Sequence, residues 1–332
     1  MLTPSSRTAW TKIRDLQPEE DVTQIVISGA SGDLARRVTQ GLLERAPLCN
    51  LTLVTRSPEA IEAGGPNVSV RKGDYEKPEL LDEAYHGGDI LFLISGLNLG
   101  RRTTEHRNAI RAAEKAGIRH IVYTSVGGVQ PGNPALSAID HYQTELDLRA
   151  SGLSYTILRN ALYAEIVSAI WLAPAARDGV LEMATGHGSL APVSKVDVAR
   201  CATAILADPA DHDGAVYEIT GPELLSMDDI VRLGSEVFGT EIAYKPVSEE
   251  ERLQFFDSVG LPRTYDPNMP PSAEGHMWAS DELVSADLAV AQGYQALLSG
   301  HVEQITGEAP APLRSVLEKV KDTPYDRIGS AS

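Results

Sequence analysis

The chain has 332 residues, 42% of them hydrophobic and 23% charged, which supports a packed core in one large domain or two linked ones and argues against disorder of the bulk. With 29 Lys and Arg against 46 Asp and Glu, the net charge is −17. Such an acidic surface repels phosphate backbones and anionic lipid, so neither a nucleic-acid nor a membrane partner is expected.

Residues 1–22 are polar, carry Asp15, Glu19, Glu20 and Asp21, and lack the apolar stretch of a signal peptide. They read as an N-terminal extension of a cytoplasmic protein, and no apolar run approaches the roughly 18 residues of a membrane span. From residue 23 onward strand-like and helix-like segments alternate. Residues 23–28 form a short apolar strand, 33–46 a helix, 51–55 and 68–71 two further strands, and 78–85 a helix. Residues 90–95 are the most apolar strand; 104–116 read as a helix stopped by Gly117. A fifth strand at 121–125, a helix at 137–150 ending before Gly152 and a sixth strand at 155–158 complete the run. Continuous apolar strands separated by helices imply βαβ units and a buried, doubly wound parallel sheet of the α/β class.

After residue 160 the pattern loosens. A strand at 216–219, a helix at 226–237 opened by Ser226, and a terminal helix at 313–321 are expected. The Pro- and Gly-rich stretch 259–280, with its Pro-rich core at 261–271, reads as a long surface loop or lid. The expected division is a dinucleotide-binding unit at 23–160 to which some later segments return, a smaller unit at 161–320, and a mobile tail at 321–332.

The strongest local signal is Gly29-Ala30-Ser31-Gly32-Asp33-Leu34-Ala35, set between a strand and a helix. Gly29 permits a tight turn, Gly32 lets the backbone approach a diphosphate, and Ala35 allows close packing of helix on strand. Free N–H groups at the helix start, around Ser31 to Leu34, then receive the phosphates. Asp33 is awkward beside a diphosphate, and Arg36 or Arg37 is expected to offset it. Arg56, at the end of the second strand where an NAD site carries Asp or Glu, suits the 2′-phosphate of NADP(H) or stands as a solvated surface residue. Asp74, after the third strand, either faces the adenine or is solvated in its loop. Ser95 and Gly96, at the end of the fourth strand, are expected close to the cofactor.

Several segments stand together in order: Gly29-x-x-Gly32, Arg56, His106-Arg107-Asn108-Ala109-Ile110, Tyr123-Thr124-Ser125 and Tyr155 to Glu165 with Arg159-Asn160-x-x-Tyr163. Val193-Ser194-x-x-Asp197 and Tyr217-Glu218-Ile219-Thr220-Gly221-Pro222 follow. The set resembles the NmrA-like group of atypical short-chain dehydrogenases, in particular its NADPH:quinone oxidoreductase and triphenylmethane reductase branch, over about residues 23–320. The resemblance implies a Rossmann domain, a smaller C-terminal α/β domain and an active site between them. It also implies that Asn160 and Tyr163 border the nicotinamide and the substrate.

The expected chemistry follows from what is missing. Ordinary short-chain dehydrogenases use Ser and Tyr-x-x-x-Lys, the Lys lowering the Tyr pKa from about 10 so that the phenol is acidic enough near neutrality. Here Ser125 ends the fifth strand and Tyr142 follows on the next helix, but Leu146 stands in place of Lys. Hydride transfer to a quinone-like or otherwise conjugated acceptor spreads the incoming charge and needs a strong proton donor less. His141 and Glu145 share one helix face, either as a proton donor near the nicotinamide or as a surface pair. Trp171, Met269, Met277 and Trp278 are candidates for an apolar substrate wall or ordinary packing.

Cys49 and Cys201 form neither a C-x-x-C pair nor a zinc cluster, and His187, His276 and His301 show no ligand spacing, so no metal is expected. A homodimer is compatible with the sequence. Two other activities fit the same residues: a redox sensor that binds NADP(H) without turnover, and a reductase or isomerase in a natural-product pathway.

Overall fold

The computed structural model describes residues 22–46, 49–61, 64–264 and 279–323. In chain order the first half comprises β1 (Gln24–Ser28), α1 (Asp33–Arg45), β2 (Asn50–Thr55), β3 (Val68–Lys72), α2 (Pro78–Tyr85) and β4 (Ile90–Leu93). It continues with α3 (Arg102–Ala116), β5 (His120–Val126), α4 (Leu136–Ser151) and β6 (Ser154–Asn160). Apolar runs become strands because helices cover both faces of the sheet and leave no polar side. Two helix ends show the chain chemistry: Pro78 opens α2, and Gly117 ends α3 in a left-handed conformation at φ +76°.

The second half comprises α5 (Ala164–Ile166), a π-helical stretch Val167–Leu172, α6 (Ala173–Asp178), β7 (Val180–Met183) and β8 (Ser189–Leu190). Then come α7 (Lys195–Ala207), β9 (Val216–Ile219), β10 (Leu225–Ser226), α8 (Met227–Phe238), β11 (Ala243–Pro246) and α9 (Glu249–Ser258). α10 (Ser280–Ala291), α11 (His301–Thr306) and α12 (Leu313–Val320) follow. The wide turn has a local cause. Pro174 has no N–H to give, and the Ala173 N–H reaches five residues back to the Ser168 carbonyl.

The main sheet is parallel throughout, in the order β3-β2-β1-β4-β5-β6-β9. The order reverses between β1 and β4, the position where such sheets open a crevice at their carboxyl ends. α1 and α7 cover one face through Val38, Leu42, Val198 and Ile205. α2, α3 and α4 cover the other through Tyr85, Ile110 and Leu148, packed against Tyr123 of β5. A separate cluster of Val167, Leu172, Met183, Ile230 and Leu317 forms a core for the later elements.

The strand at 216–219 and the helix opened by Ser226 are present, the latter with a reciprocal Ser226–Asp229 capping box. Sequence periodicity missed α7, because it is buried on nearly every side and shows no polar stripe. Its start was nevertheless written in Ser194-x-x-Asp197, where the Ser194 hydroxyl accepts from the Asp197 N–H at 3.0 Å. Most of the Pro-rich segment, with Met269, Met277 and Trp278, lies outside the described residues, as do residues 1–21 and 324–332. Among the described residues no helix is long and apolar enough to cross a membrane.

α10 is tied in by a buried carboxyl. Asp287 accepts from the Ala184 N–H at 3.2 Å and lies 3.4 Å from Arg252 on α9. Burial outweighs both partners and pushes its pKa up to about 6. The folded chain therefore holds this proton more tightly than the unfolded chain between pH ~4 and ~6, so stability from this group falls as pH rises through that window. Asp287→Asn is expected to flatten that part of the stability–pH curve, by up to about 3 kcal/mol at the alkaline end. Urea titrations of both proteins at pH 4, 5 and 6 check this, and parallel curves would refute the assignment.

Candidate active site

The turn after β1 takes the form the glycine pattern predicts. Gly29 has φ +65°, a region glycine enters freely, and its carbonyl accepts from the Gly32 N–H at 3.0 Å. Gly32 is the extended residue that opens α1, and no side chain caps the helix. The first N–H groups of α1 are thus left for an anion. Leu34 contributes only backbone here, since its side chain is buried in the core. Ser31 is half-buried, and its carbonyl accepts from Arg36 Nη1 at 2.7 Å.

Asp33, in the first turn of α1, is surrounded by cations. Its carboxylate accepts from Arg37 Nε at 3.0 Å and lies 3.6 Å from Arg36 and 4.0 Å from Lys195 Nζ. Both offsetting arginines are present, and a third cation arrives from α7. Arg56 is exposed just past the end of β2. Asp74 closes its own turn, accepting from the Glu76 N–H at 3.0 Å. Ser95 and Gly96 follow β4 and are held by their backbone. The Ser95 N–H donates to Thr124 Oγ1 at 2.9 Å, and the Gly96 N–H to His106 Nε2 at 2.9 Å. A Cβ on Gly96 would stand 2.5 Å from Glu105 Oε2, so a larger residue there would displace the Glu105 carboxylate.

β6 delivers Asn160 to the same carboxyl edge. Its side chain is 6% exposed, its Nδ2 donates to the Tyr163 hydroxyl at 3.3 Å, and its Oδ1 is buried without a hydrogen bond. An unpaired buried amide oxygen costs about 1–3 kcal/mol, and a ligand N–H group would satisfy it. The nicotinamide carboxamide carries such a group. Tyr163 is half-buried, and burial pushes its pKa up to about 12. Trp171 sits in the π-helical stretch, half-buried against the later core.

Ser125, His141 and Glu145 lie beneath this edge. Ser125 is 2% exposed and donates its proton to Glu145 Oε1 at 2.8 Å. Glu145 is fully buried and takes both forks of Arg159, at 2.7 and 2.9 Å, with Arg149 at 3.2 Å. His141 is 2% exposed, and its Nδ1 lies 2.6 Å from the Tyr123 hydroxyl. The surface pairing that helix spacing allowed is therefore not what forms. Burial first, then the charge of Arg102, holds the His141 pKa well below the usual histidine range. Such an imidazole is neutral at pH 7 and carries no spare proton. His106, a residue the sequence reading did not single out for the site, is likewise pushed down to about 3 by burial, and it bridges the Gly96 N–H to Thr144 Oγ1. Tyr142 is half-buried on α4, and Leu146, where a lysine is usual, is 40% exposed.

Sequence reasoning did not single out Lys195 or Gln295, and it named Glu165 only as the end of the family-like segment, with no role. Gln295 Nε2 donates to the Gly127 carbonyl at 3.1 Å, and the Gly127 N–H donates to the Asn160 carbonyl at 2.8 Å. The segment after α10 is thereby fastened beside Asn160. Only Ser194-x-x-Asp197, next to Lys195, left a signal in the sequence. Among the described residues no group of three or more His, Cys, Asp or Glu could hold a metal ion.

Comparison with known proteins gives the family. The sequence pattern of a family described as NAD(P)H-binding matches residues 29–209. Quinone oxidoreductase 2 of Escherichia coli (strain K12) is 34% identical over 240 residues, 72% of this chain and 82% of that protein. An NmrA-like family domain-containing oxidoreductase of Aspergillus flavus is 26% identical, over 89% of this chain and 94% of its own. The crystal structure of the E. coli NADPH-dependent quinone oxidoreductase in complex with NADPH superposes with a TM-score of 0.78 at 29% identity, covering 89% of this chain and 99% of that one. That of Citrobacter triphenylmethane reductase gives 0.76 at 27%, covering 90% and 100%. With its uncapped helix at Gly32, its parallel sheet and these relatives, the chain belongs to the NAD(P)H-binding family, in the NmrA-like branch of the short-chain dehydrogenases.

Proposed function

We propose that the chain is an NADPH-dependent oxidoreductase that passes hydride to a quinone-like or other conjugated acceptor at the carboxyl edge of the sheet. The observation that carries the reading is a pair of unfilled groups on one edge: the uncapped start of α1 at Gly32 and the unbonded Asn160 Oδ1. They suit the two ends of a nicotinamide diphosphate. When bound, NADPH supplies the hydride.

The chain's residues bind and orient. Gly29, Ser31, Gly32, Asp33 and Leu34 present backbone to the diphosphate, and Arg56 meets the 2′-phosphate. Ser95 and Gly96 line the path to the nicotinamide, Asn160 fixes the carboxamide, and Tyr163 and Trp171 flank the acceptor. Ser125, its proton held by Glu145, has lone pairs left to accept from a ligand hydroxyl. Burial leaves neither His141 nor Tyr163 acidic near neutrality, and Tyr142 has Leu146 where its activating lysine would stand, so in this reading the proton that completes hydroquinone formation is drawn from water. A charge-delocalising acceptor tolerates this, whereas a simple ketone does not. The quinone and dye reductases among the similar proteins support that choice of substrate class.

The test is NADPH oxidation against a panel of benzoquinones, naphthoquinones, cationic dyes and simple ketones. Turnover is expected with the conjugated acceptors and not with the ketones. Binding of NADPH with no turnover would instead favour a redox sensor. Arg56→Ala is expected to weaken NADPH by about tenfold while leaving NADH within about twofold, since one charge-assisted contact is worth about 1.5–3 kcal/mol. Equal losses for both coenzymes would remove Arg56 from the 2′-phosphate site.

A further inference from the structure

Lys195 lies far along the chain from the glycine loop, at the first position of α7, yet it is packed beside that loop. α1 and α7 run close together: a Cβ on Gly41 of α1 would stand 2.7 Å from Thr203 Oγ1 of α7. Their N-terminal residues meet, with Lys195 Nζ 4.0 Å from Asp33 Oδ2. The Lys195 side chain is 7% exposed, and its ammonium lies 5.6 Å from the Tyr163 ring centroid. Its backbone N–H donates to both oxygens of the buried Glu165 carboxylate, at 3.1 and 3.2 Å. Glu165 thus pins the start of α7 to the segment that carries Tyr163. The ammonium is thus close both to the first turn of α1 and to the Tyr163 ring.

Asp33 poses an electrostatic problem that Lys195 answers. A carboxylate on the first residue of α1 opposes a diphosphate at the same helix end. Arg36 and Arg37 offset it, but their side chains are 54% and 43% exposed and are screened by water and salt. A buried ammonium is screened far less, so its field acts on whatever occupies the helix start.

Given a dinucleotide in this crevice, we propose that Lys195 is a cofactor-positioning residue: it counterbalances Asp33 and holds the diphosphate against the start of α1 from the opposite side. A second half of the phosphate site thus comes from α7, outside the glycine-rich motif. This goes beyond the proposed function by assigning the affinity for the diphosphate in part to a residue of another element.

Calorimetric titration of the full chain with NADPH at low and moderate salt tests this, using Lys195→Met, Asp33→Asn and the double variant. K195M is expected to weaken NADPH by about tenfold or more, as the loss of one charged contact implies. Its affinity should also depend less steeply on salt, because one fewer cation faces the diphosphate. D33N/K195M should regain at least threefold of the loss. A merely structural lysine would change neither the salt slope nor the rescue. K195M binding within twofold of the unaltered chain, or a double variant no better than K195M, overturns the proposal. If K195M does not fold, D33N carries the test: it should tighten NADPH at least twofold, and unchanged or weaker binding overturns the proposal. Failure of the unaltered chain to bind NADPH at all would remove the dinucleotide reading itself and this proposal with it, and is recognisable because no variant is then needed to see it.

Discussion

Glu145→Ala is expected to destabilise the fold by about 3–5 kcal/mol, the cost of stripping one partner from a buried ion pair. Glu145 has no exposed surface and meets Arg159 at 2.7 and 2.9 Å, Arg149 at 3.2 Å and the Ser125 hydroxyl at 2.8 Å. Arg159 also reaches Glu218 on β9 at 3.2 Å, so the carboxylate joins α4 to three neighbouring strands. Removing it leaves a largely buried guanidinium short of its main counter-charge and frees the Ser125 proton at the crevice edge. Glu145→Gln keeps the shape and one acceptor oxygen and should lose less. Urea unfolding of the three proteins measures this. A loss below about 1 kcal/mol for the Ala variant would show that Glu145 does not hold these elements together.

Gly29→Val is expected to weaken NADPH binding by about 100-fold, equivalent to about 2.7 kcal/mol. The reason is backbone strain rather than collision. At φ +65° a side chain costs about 1–2 kcal/mol, and a β-branched one more. A Cβ placed there meets its nearest neighbour, Ile94 Cβ, at an ordinary 3.6 Å. The loop relieves the strain by abandoning the turn that Gly32 N–H closes onto the Gly29 carbonyl, and the first N–H groups of α1 lose their aim. Gly29→Ala should fall between, near tenfold. Titration of each variant with NADPH decides the matter; a Val variant within threefold of the unaltered chain would mean that this turn does not set the phosphate site.

The first half of the fold was legible because apolar runs and glycine stops are local signals. The apolar run at 90–93 marks a buried strand, and Gly117 ends its helix by its own left-handed conformation. The candidate site was less legible for a reason visible in α4. Its polar residues His141, Thr144 and Glu145 are buried, while Ile139 and Leu146 are 55% and 40% exposed. Spacing shows that His141 and Glu145 share a face, but not that the face points inward, because there the polar side chains are buried together with Ala138 and Leu148. Their partners, Tyr123 and Arg159, come from strands, and no periodicity specifies such a pairing. Asp33 shows the same limit. Its arginines lie three and four residues away and could be anticipated, but Lys195 is brought alongside only by the packing of α1 against α7.

The late arrival of β9 has a consequence for biosynthesis. β6 finds its outer neighbour only after some 55 more residues have been made, since β6 ends at Asn160 and β9 begins at Val216. Until then a nascent chain on the ribosome exposes the bare flank of β6, with Ile157 and Leu158 on it, as a template for another chain to zip onto. A fragment ending at residue 160 would keep that flank permanently. Attempts to produce the coenzyme-binding half alone should carry the chain past Ile219, or expect aggregates in place of a folded product.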